Sequence, residues 1–123
     1  MKKIVTGLLV LSLVGIALAQ ERQFLSKPEV ETLATGKKWV YARPSDGKKI
    51  QWDLRSGGTL YGINLSSSAR DSGTWLVNDA AQLCIKWRGS SPDACVGVTK
   101  ENDVLKLVSS KDLSGVYAVL SVE

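Results

Sequence analysis

The chain has 123 residues, of which 23% are charged and 44% hydrophobic, with a formal net charge of +4, two cysteines and no histidine. That length bounds it to one modest domain. The missing histidine excludes Ser-His-Asp and Cys-His nucleophile systems, His-ligated zinc and His-ligated haem.

Residues 1–19 read as a secretory signal peptide. Lys2 and Lys3 form a positive n-region, residues 4–18 are almost wholly apolar, and Ala17-Leu18-Ala19 is a small-x-small cleavage site before Gln20. The apolar run is shorter than the ~20 residues that span a bilayer. No cysteine follows the cleavage site and no second apolar segment is long enough to span. The expectation is an exported protein, periplasmic or secreted, with no transmembrane anchor after cleavage. Without Lys2 and Lys3 the balance is 14 basic against 12 acidic side chains, a net +2. That is too weak to argue for nucleic acid or an anionic membrane surface as partner. Residues 20–123 then form a single small domain, expected to be a monomer.

Residues 20–25 form a polar lead-in. Ser26-Lys27-Pro28-Glu29 reads as a helix start: Ser26 caps, Pro28 suits the first turn, and Glu29 completes a capping box. Val30, Leu33 and Ala34 make one apolar stripe, and Gly36 ends the helix, which is expected at about 27–35. Two turns cannot stand alone in water, so this helix must dock on a sheet, covering an end or an edge.

Strands and turns follow. Residues 38–43 place Trp39 and Tyr41 on one face, and Pro44-Ser45-Asp46-Gly47 is a turn. Residues 49–54 alternate strictly, with Ile50, Trp52 and Leu54 inward. Ser56-Gly57-Gly58 turns the chain into a strand over 59–65, whose inward face is ambiguous because Tyr61, Ile63 and Leu65 compete with Leu60. Residues 66–72 read as the longest loop, and 73–77 carry Trp75 and Val77. Residues 83–88 and 95–99 form a hairpin with Leu83, Ile85, Trp87, Val96 and Val98 on the apolar face. Cys84 and Cys95 share the other face; if they lie opposite one another their Cα atoms reach the roughly 4.4–6.8 Å of a disulfide. Residues 104–108 and 116–122 complete the set. About eight short strands in sequential hairpins, with one short N-terminal helix, predict an all-β fold. The expected form is an antiparallel meander in a small closed or nearly closed barrel, with a β-sandwich as the alternative.

Little in this pattern carries chemistry. The cysteines are not a Cys-x-x-Cys pair, Gly57-Gly58 sits in a β-turn rather than before a helix, and Asp53 lies on a polar strand face. No enzymatic activity, metal or cofactor is expected. Two groups are candidates for binding. Trp39, Trp52, Trp75 and Trp87 each fall on an apolar strand face and either line a ligand pocket or form the core. Core is the favoured reading, because four indoles would fill most of an eight-stranded barrel. Arg70, Asp71, Arg88 and Asp93 lie in serine-rich loops, where recognition residues on a rigid scaffold usually sit.

The order Gly36-Lys37-Lys38-Trp39, Asp46-Gly47, Gly58-Thr59-Leu60-Tyr61-Gly62, Gly73-Thr74-Trp75, Leu83-Cys84-Ile85-Lys86-Trp87 and Cys95 resembles an uncharacterised family of small exported proteobacterial proteins. The resemblance spans about residues 30–108 and implies a lipocalin-like barrel in outline and an exported location. It implies no activity for any residue. The lipocalin Gly-x-Trp stands here as Gly36-Lys37-Lys38-Trp39, one residue longer. The functional expectation is a periplasmic binding or interaction module that meets a protein or envelope component through its loops. The alternatives are a carrier of a small hydrophobic ligand in the barrel interior and an inhibitor of a host enzyme such as lysozyme. The basic charge argues against the last, since lysozyme is itself basic.

Overall fold

The computed structural model describes residues 23–109 and 116–123. The expected signal peptide lies outside these residues, as does most of the turn before the last strand. The fold is a closed, eight-stranded antiparallel β-barrel with one additional short strand and one helix. Its elements are β1 (Gln23–Phe24), α1 (Lys27–Ala34), β2 (Lys37–Ala42), β3 (Lys49–Leu54), β4 (Thr59–Asn64), β5 (Arg70–Val77), β6 (Leu83–Trp87), β7 (Ala94–Glu101), β8 (Val104–Ser109) and β9 (Val116–Val122). Strands β2 to β9 pair in sequence order, and β9 returns to β2, with Trp39 opposite Val122 and Tyr41 opposite Leu120. That last pairing makes a barrel and rules out the sandwich.

The period-two pattern sets the inside. Ile50, Trp52 and Leu54 of β3 are buried, as are Leu83 and Ile85 of β6, Val96 and Val98 of β7, and Leu107 of β8. In β4 the ambiguity resolves in favour of Leu60 and Gly62 inward; Tyr61 faces out, under the Arg55 guanidinium 5.0 Å from its ring centre. The apolar rank of Tyr61 and Ile63 misleads here, because the inward partner of Trp52 is Gly62, which has no hydropathy to read.

Two further departures from the sequence reading are local. Strand β5 begins at Arg70, inside the stretch read as loop, because Arg70, Asp71 and Ser72 pair with Ile63, Gly62 and Tyr61. Strand β1 falls in the lead-in, and two residues offer no period to detect. It exists because β6 pairs with β7 over only three positions, leaving the same side of β7 open beyond Val96. Gln23 and Phe24 occupy that side opposite Lys100 and Thr99, and the Leu25 amide donates to the Val98 carbonyl at 2.9 Å. The Phe24 ring packs over Gly97, where a Cβ would stand 3.2 Å from it.

Helix α1 starts as its sequence requires. The Glu29 amide donates to Ser26 Oγ and the Ser26 amide to Glu29 Oε1, which holds the Glu29 carboxyl below its ordinary range. Val30 and Ala34 are fully buried against the barrel, and Trp39 Nε1 donates to the Leu33 carbonyl at 3.0 Å. Burying a side chain the size of Val30 contributes on the order of 1.5–3 kcal/mol. Together these contacts fix α1 across the end of the barrel where β2 begins and β9 finishes. At the same end the Lys38 and Glu123 backbones exchange a pair of hydrogen bonds at 2.8 and 3.0 Å. Trp39 and Trp52, opposite one another, stack with centres 6.4 Å apart and form the floor of the interior.

Cys84 and Cys95 are opposite in register on the outer face, at disulfide distance, with sulfurs 2.11 Å and Cα atoms 4.0 Å apart. They clamp the hairpin at the point where β6 and β7 begin to diverge.

Candidate binding site at the open end

Strand direction alternates, so the connections sort into two ends. The end opposite α1 carries residues 43–48, 65–69 and 88–93, which link β2 to β3, β4 to β5 and β6 to β7. The inward positions nearest this end are Tyr41, Ile50, Asn64, Asp71, Trp87 and Tyr117. Glycines 62 and 73 lie just beneath them, with no side chains to fill the space, although the Trp87 indole covers Gly62. At this end Tyr41, Ile50, Trp52, Trp87 and Tyr117 line a pocket that is open to solvent and whose lining continues over outer-face residues such as Thr74, Leu76 and Cys84.

The four tryptophans therefore do different things. Trp39 is fully buried and belongs to the core alone. Trp52 is buried but lines the cavity floor, while Trp75 and Trp87 are half-buried and line its wall. The Trp75 indole N–H donates to the Arg55 carbonyl at 2.9 Å, so its polar atom is already satisfied. All four indoles belong to or pack against the core, as the favoured reading has it, while Trp52, Trp75 and Trp87 also border the pocket.

An aromatic cluster shapes the mouth. Tyr41 meets Trp52 edge-on at 5.1 Å and Tyr117 at 5.7 Å. Burial, with the neighbouring Tyr117 hydroxyl and its hydrogen bond, pushes the Tyr41 phenol far above its ordinary value of 10.0. Tyr41 thus stays protonated, a hydrogen-bond donor rather than a base or nucleophile.

The loop residues singled out from sequence all gather at this end, in unequal roles. Asp71 Oδ1 accepts from the Ser72 amide at 2.7 Å and the Gly89 amide at 3.2 Å, tying β5 to the 88–93 connection. Asp93 Oδ1 accepts from the Trp87 amide at 3.3 Å, bracing the same turn from within. Both carboxylates hold the loop in shape. The Arg88 amide donates to the Ser72 carbonyl at 2.8 Å, and its side chain is exposed. Arg70 is exposed on the outer face at the start of β5, opposite Ile63. Sequence reasoning put Tyr41 inward with Trp39 but did not name it, Arg43 or Tyr117 as residues of this mouth. Arg43 makes a two-point pair with Asp46, Nη2 to Oδ2 at 2.7 Å and Nε to Oδ1 at 3.1 Å, which holds the Asp46 carboxyl at about 2. The detectable signal for Tyr41 was its place on the inward face two residues after Trp39.

Charge is distributed unevenly. At the open end stand Arg43, Lys48, Lys49, Arg70, Lys86 and Arg88 against Asp46, Asp71 and Asp93. All three acids are engaged, one with Arg43 and two with backbone amides. The six cations against three acids leave this end with a net +3, Arg70 and Lys86 on its outer face. Among the described residues no three of the Cys, Asp and Glu side chains are grouped to hold a metal ion, and no helix is long and apolar enough to cross a membrane.

In comparisons with known proteins, no family model, no curated protein and no solved structure gives a significant match to this chain.

Proposed function

We propose that the protein is an exported, non-enzymatic binding module that works through the open end of its barrel. The observation that carries this reading is the asymmetry of the two ends. One is capped by α1 and sealed by Trp39, whereas the other opens to a pocket lined by Tyr41, Trp52, Trp87 and Tyr117 beside connections that internal hydrogen bonds keep in shape. Rigid loops around a concavity are the usual arrangement for recognition without chemistry. Tyr41 is protonated and Asp71 and Asp93 are occupied by backbone amides, so the mouth offers hydrogen bonds and charge rather than an acid–base pair. A second reading, a carrier of a small apolar ligand, draws on the half-buried Trp75 and Trp87 in the wall. The net +3 at this end argues against a basic enzyme as partner. The proposal includes an affiliation with small exported proteobacterial proteins, since the motif order resembles theirs.

Native mass spectrometry of protein purified after export tests the two readings together. A retained small molecule favours the carrier, and a co-purifying protein favours recognition through the loops. Cytosolic retention of the chain with its first 19 residues intact would overturn the exported role.

A further inference from the structure

Charge is unequal between the two ends of the barrel. The open half carries a net +3, whereas the half beside α1 holds the other six described cations against seven acids, among them Glu29, Glu31, Asp79 and Glu123. Averaged over the chain the charge is too small to favour an anionic surface; divided between the ends it points the molecule. Lys48, Lys49, Arg70 and Arg88 of the open half are exposed and make no ion pair among the described residues. Each lies in or beside one of three short connections that internal hydrogen bonds fix. Asp46 pairs with Arg43 in the first, Asn64 Oδ1 accepts from the Ser66 and Ser67 amides in the second, and Asp71 Oδ1 accepts from the Gly89 amide in the third.

The spread of these cations decides what can meet them. Lys49 starts β3 on the outer face, opposite Ala42, and Arg88 follows β6. Three strand spacings separate β3 from β6, roughly 14 Å, more than the ~10 Å over which charge is felt at 0.1 M salt. One small anion cannot engage them together, whereas a continuous anionic surface engages all of them. Leu65 stands beside Lys49, its side chain 46% exposed and its amide bonded to the Lys49 carbonyl at 2.8 Å. Exposed apolar side chains among cations suit a lipid interface, where the leucine enters the headgroup layer and the cations meet phosphates. We propose that the open end docks against an anionic lipid bilayer, with Lys48, Lys49, Arg70 and Arg88 on the headgroups and Leu65 in the interface. Docking of this kind needs no guest in the pocket.

Two lysine pairs supply an internal control, since Lys37 and Lys38 are exposed at the opposite end. The exported protein is sedimented at low salt with vesicles of phosphatidylcholine alone, or of equal parts phosphatidylcholine and phosphatidylglycerol. It should partition about a hundredfold more strongly onto the anionic vesicles, at about fivefold for each unbalanced cation, and the preference should shrink as salt rises. Lys48→Gln with Lys49→Gln should weaken that binding by on the order of tenfold or more. Lys37→Gln with Lys38→Gln removes the same charge and should change it by less than about twofold. Leu65→Ser should weaken it about threefold. All of these side chains are exposed, so the replacements leave the core intact. Equal losses from the two lysine pairs overturn the docking orientation. Equal partition onto both kinds of vesicle, or none onto either, overturns the bilayer as the occupant. Retention on immobilised poly-L-glutamate without vesicle binding assigns the end to an acidic polypeptide instead. The pocket reading survives each of these results, because native mass spectrometry tests it separately.

Discussion

Gly62→Ala tests whether Trp87 is held where the structure puts it. A methyl group at Gly62 would collide with Cη2 of the Trp87 indole and stand 2.8 Å from Cζ3, against the 3.4–4 Å of ordinary contact. The ring must therefore shift by on the order of 1 Å. Overpacking of this kind costs about 1–3 kcal/mol. The lower part of that range applies, because Trp87 borders an open cavity and can swing into it rather than push on backbone. About 1–1.5 kcal/mol corresponds to a fall in Tm of roughly 4–12 °C for a domain of this size. Gly73 supplies the contrast. A Cβ there meets the Lys86 carbonyl oxygen and comes within 3.0 Å of Trp87 Cα, so β5 and β6 must separate. Gly73→Ala should cost more than 3 kcal/mol, or prevent folding. The measurement is urea unfolding followed by far-ultraviolet circular dichroism, run as a double-mutant cycle with Trp87→Leu. If the steric argument holds, most of the Gly62→Ala penalty disappears in the Trp87→Leu background. A penalty of the same size in both backgrounds would refute it, because the methyl group would then be clashing with something else.

Three other outcomes follow from the same structure. Replacing Cys84 and Cys95 together with alanine should destabilise the protein by about 2–3 kcal/mol through the freed unfolded chain. Calorimetry of oxidised wild type against the double variant measures it, and an unchanged Tm would mean that the cross-link constrains nothing. Thr99 is fully buried on the outer face, and its hydroxyl finds no hydrogen-bond partner among the described residues. Thr99→Val should therefore be neutral or stabilising by about 1 kcal/mol; a loss of stability in urea would reveal a hydrogen bond to that hydroxyl. Asp46 has its carboxyl lowered from 3.8 to about 2 by its hydrogen bonds to Arg43. Its folded value lies below its unfolded one, so its contribution is present above pH ~4 and is lost as pH falls toward 2. Wild type should lose more stability than Asp46→Asn across that window, and superimposable pH profiles would rule the contribution out.

The parts of the fold legible in the sequence are those with a period. Residues 49–54 and 83–87 alternate without interruption, and the capping box at Ser26 and Glu29 is a local pattern that needs no tertiary partner. What escaped detection has tertiary causes. Gly62 and Gly73 face inward, yet glycine carries no hydropathy, so the β4 face and the seat of the Trp87 indole were hidden by the same residue type. Strand β5 reaches back to Arg70 only because β4 offers it a partner, and β1 exists only because β6 is short. The excess of cations at the open end was invisible in the net charge of +4. It emerges only when the up-and-down order of the strands assigns each connection to an end.

The pairing of β2 with β9 sets an order on folding. Each hairpin from β2 to β9 joins neighbours in sequence and can form locally, on the microsecond scale of isolated hairpins. Closure is different: Trp39 meets Val122 at a sequence separation of 83, and β1 meets β7 across a similar span. Loop entropy makes those contacts late. A chain crossing a membrane N-terminus first would therefore display β2 for the whole of its passage, waiting for the last strand to arrive. A product truncated after β8 would keep every hairpin up to β7–β8 and still be left with two unsatisfied backbone rims, on β2 and β8, each ready to pair with another copy.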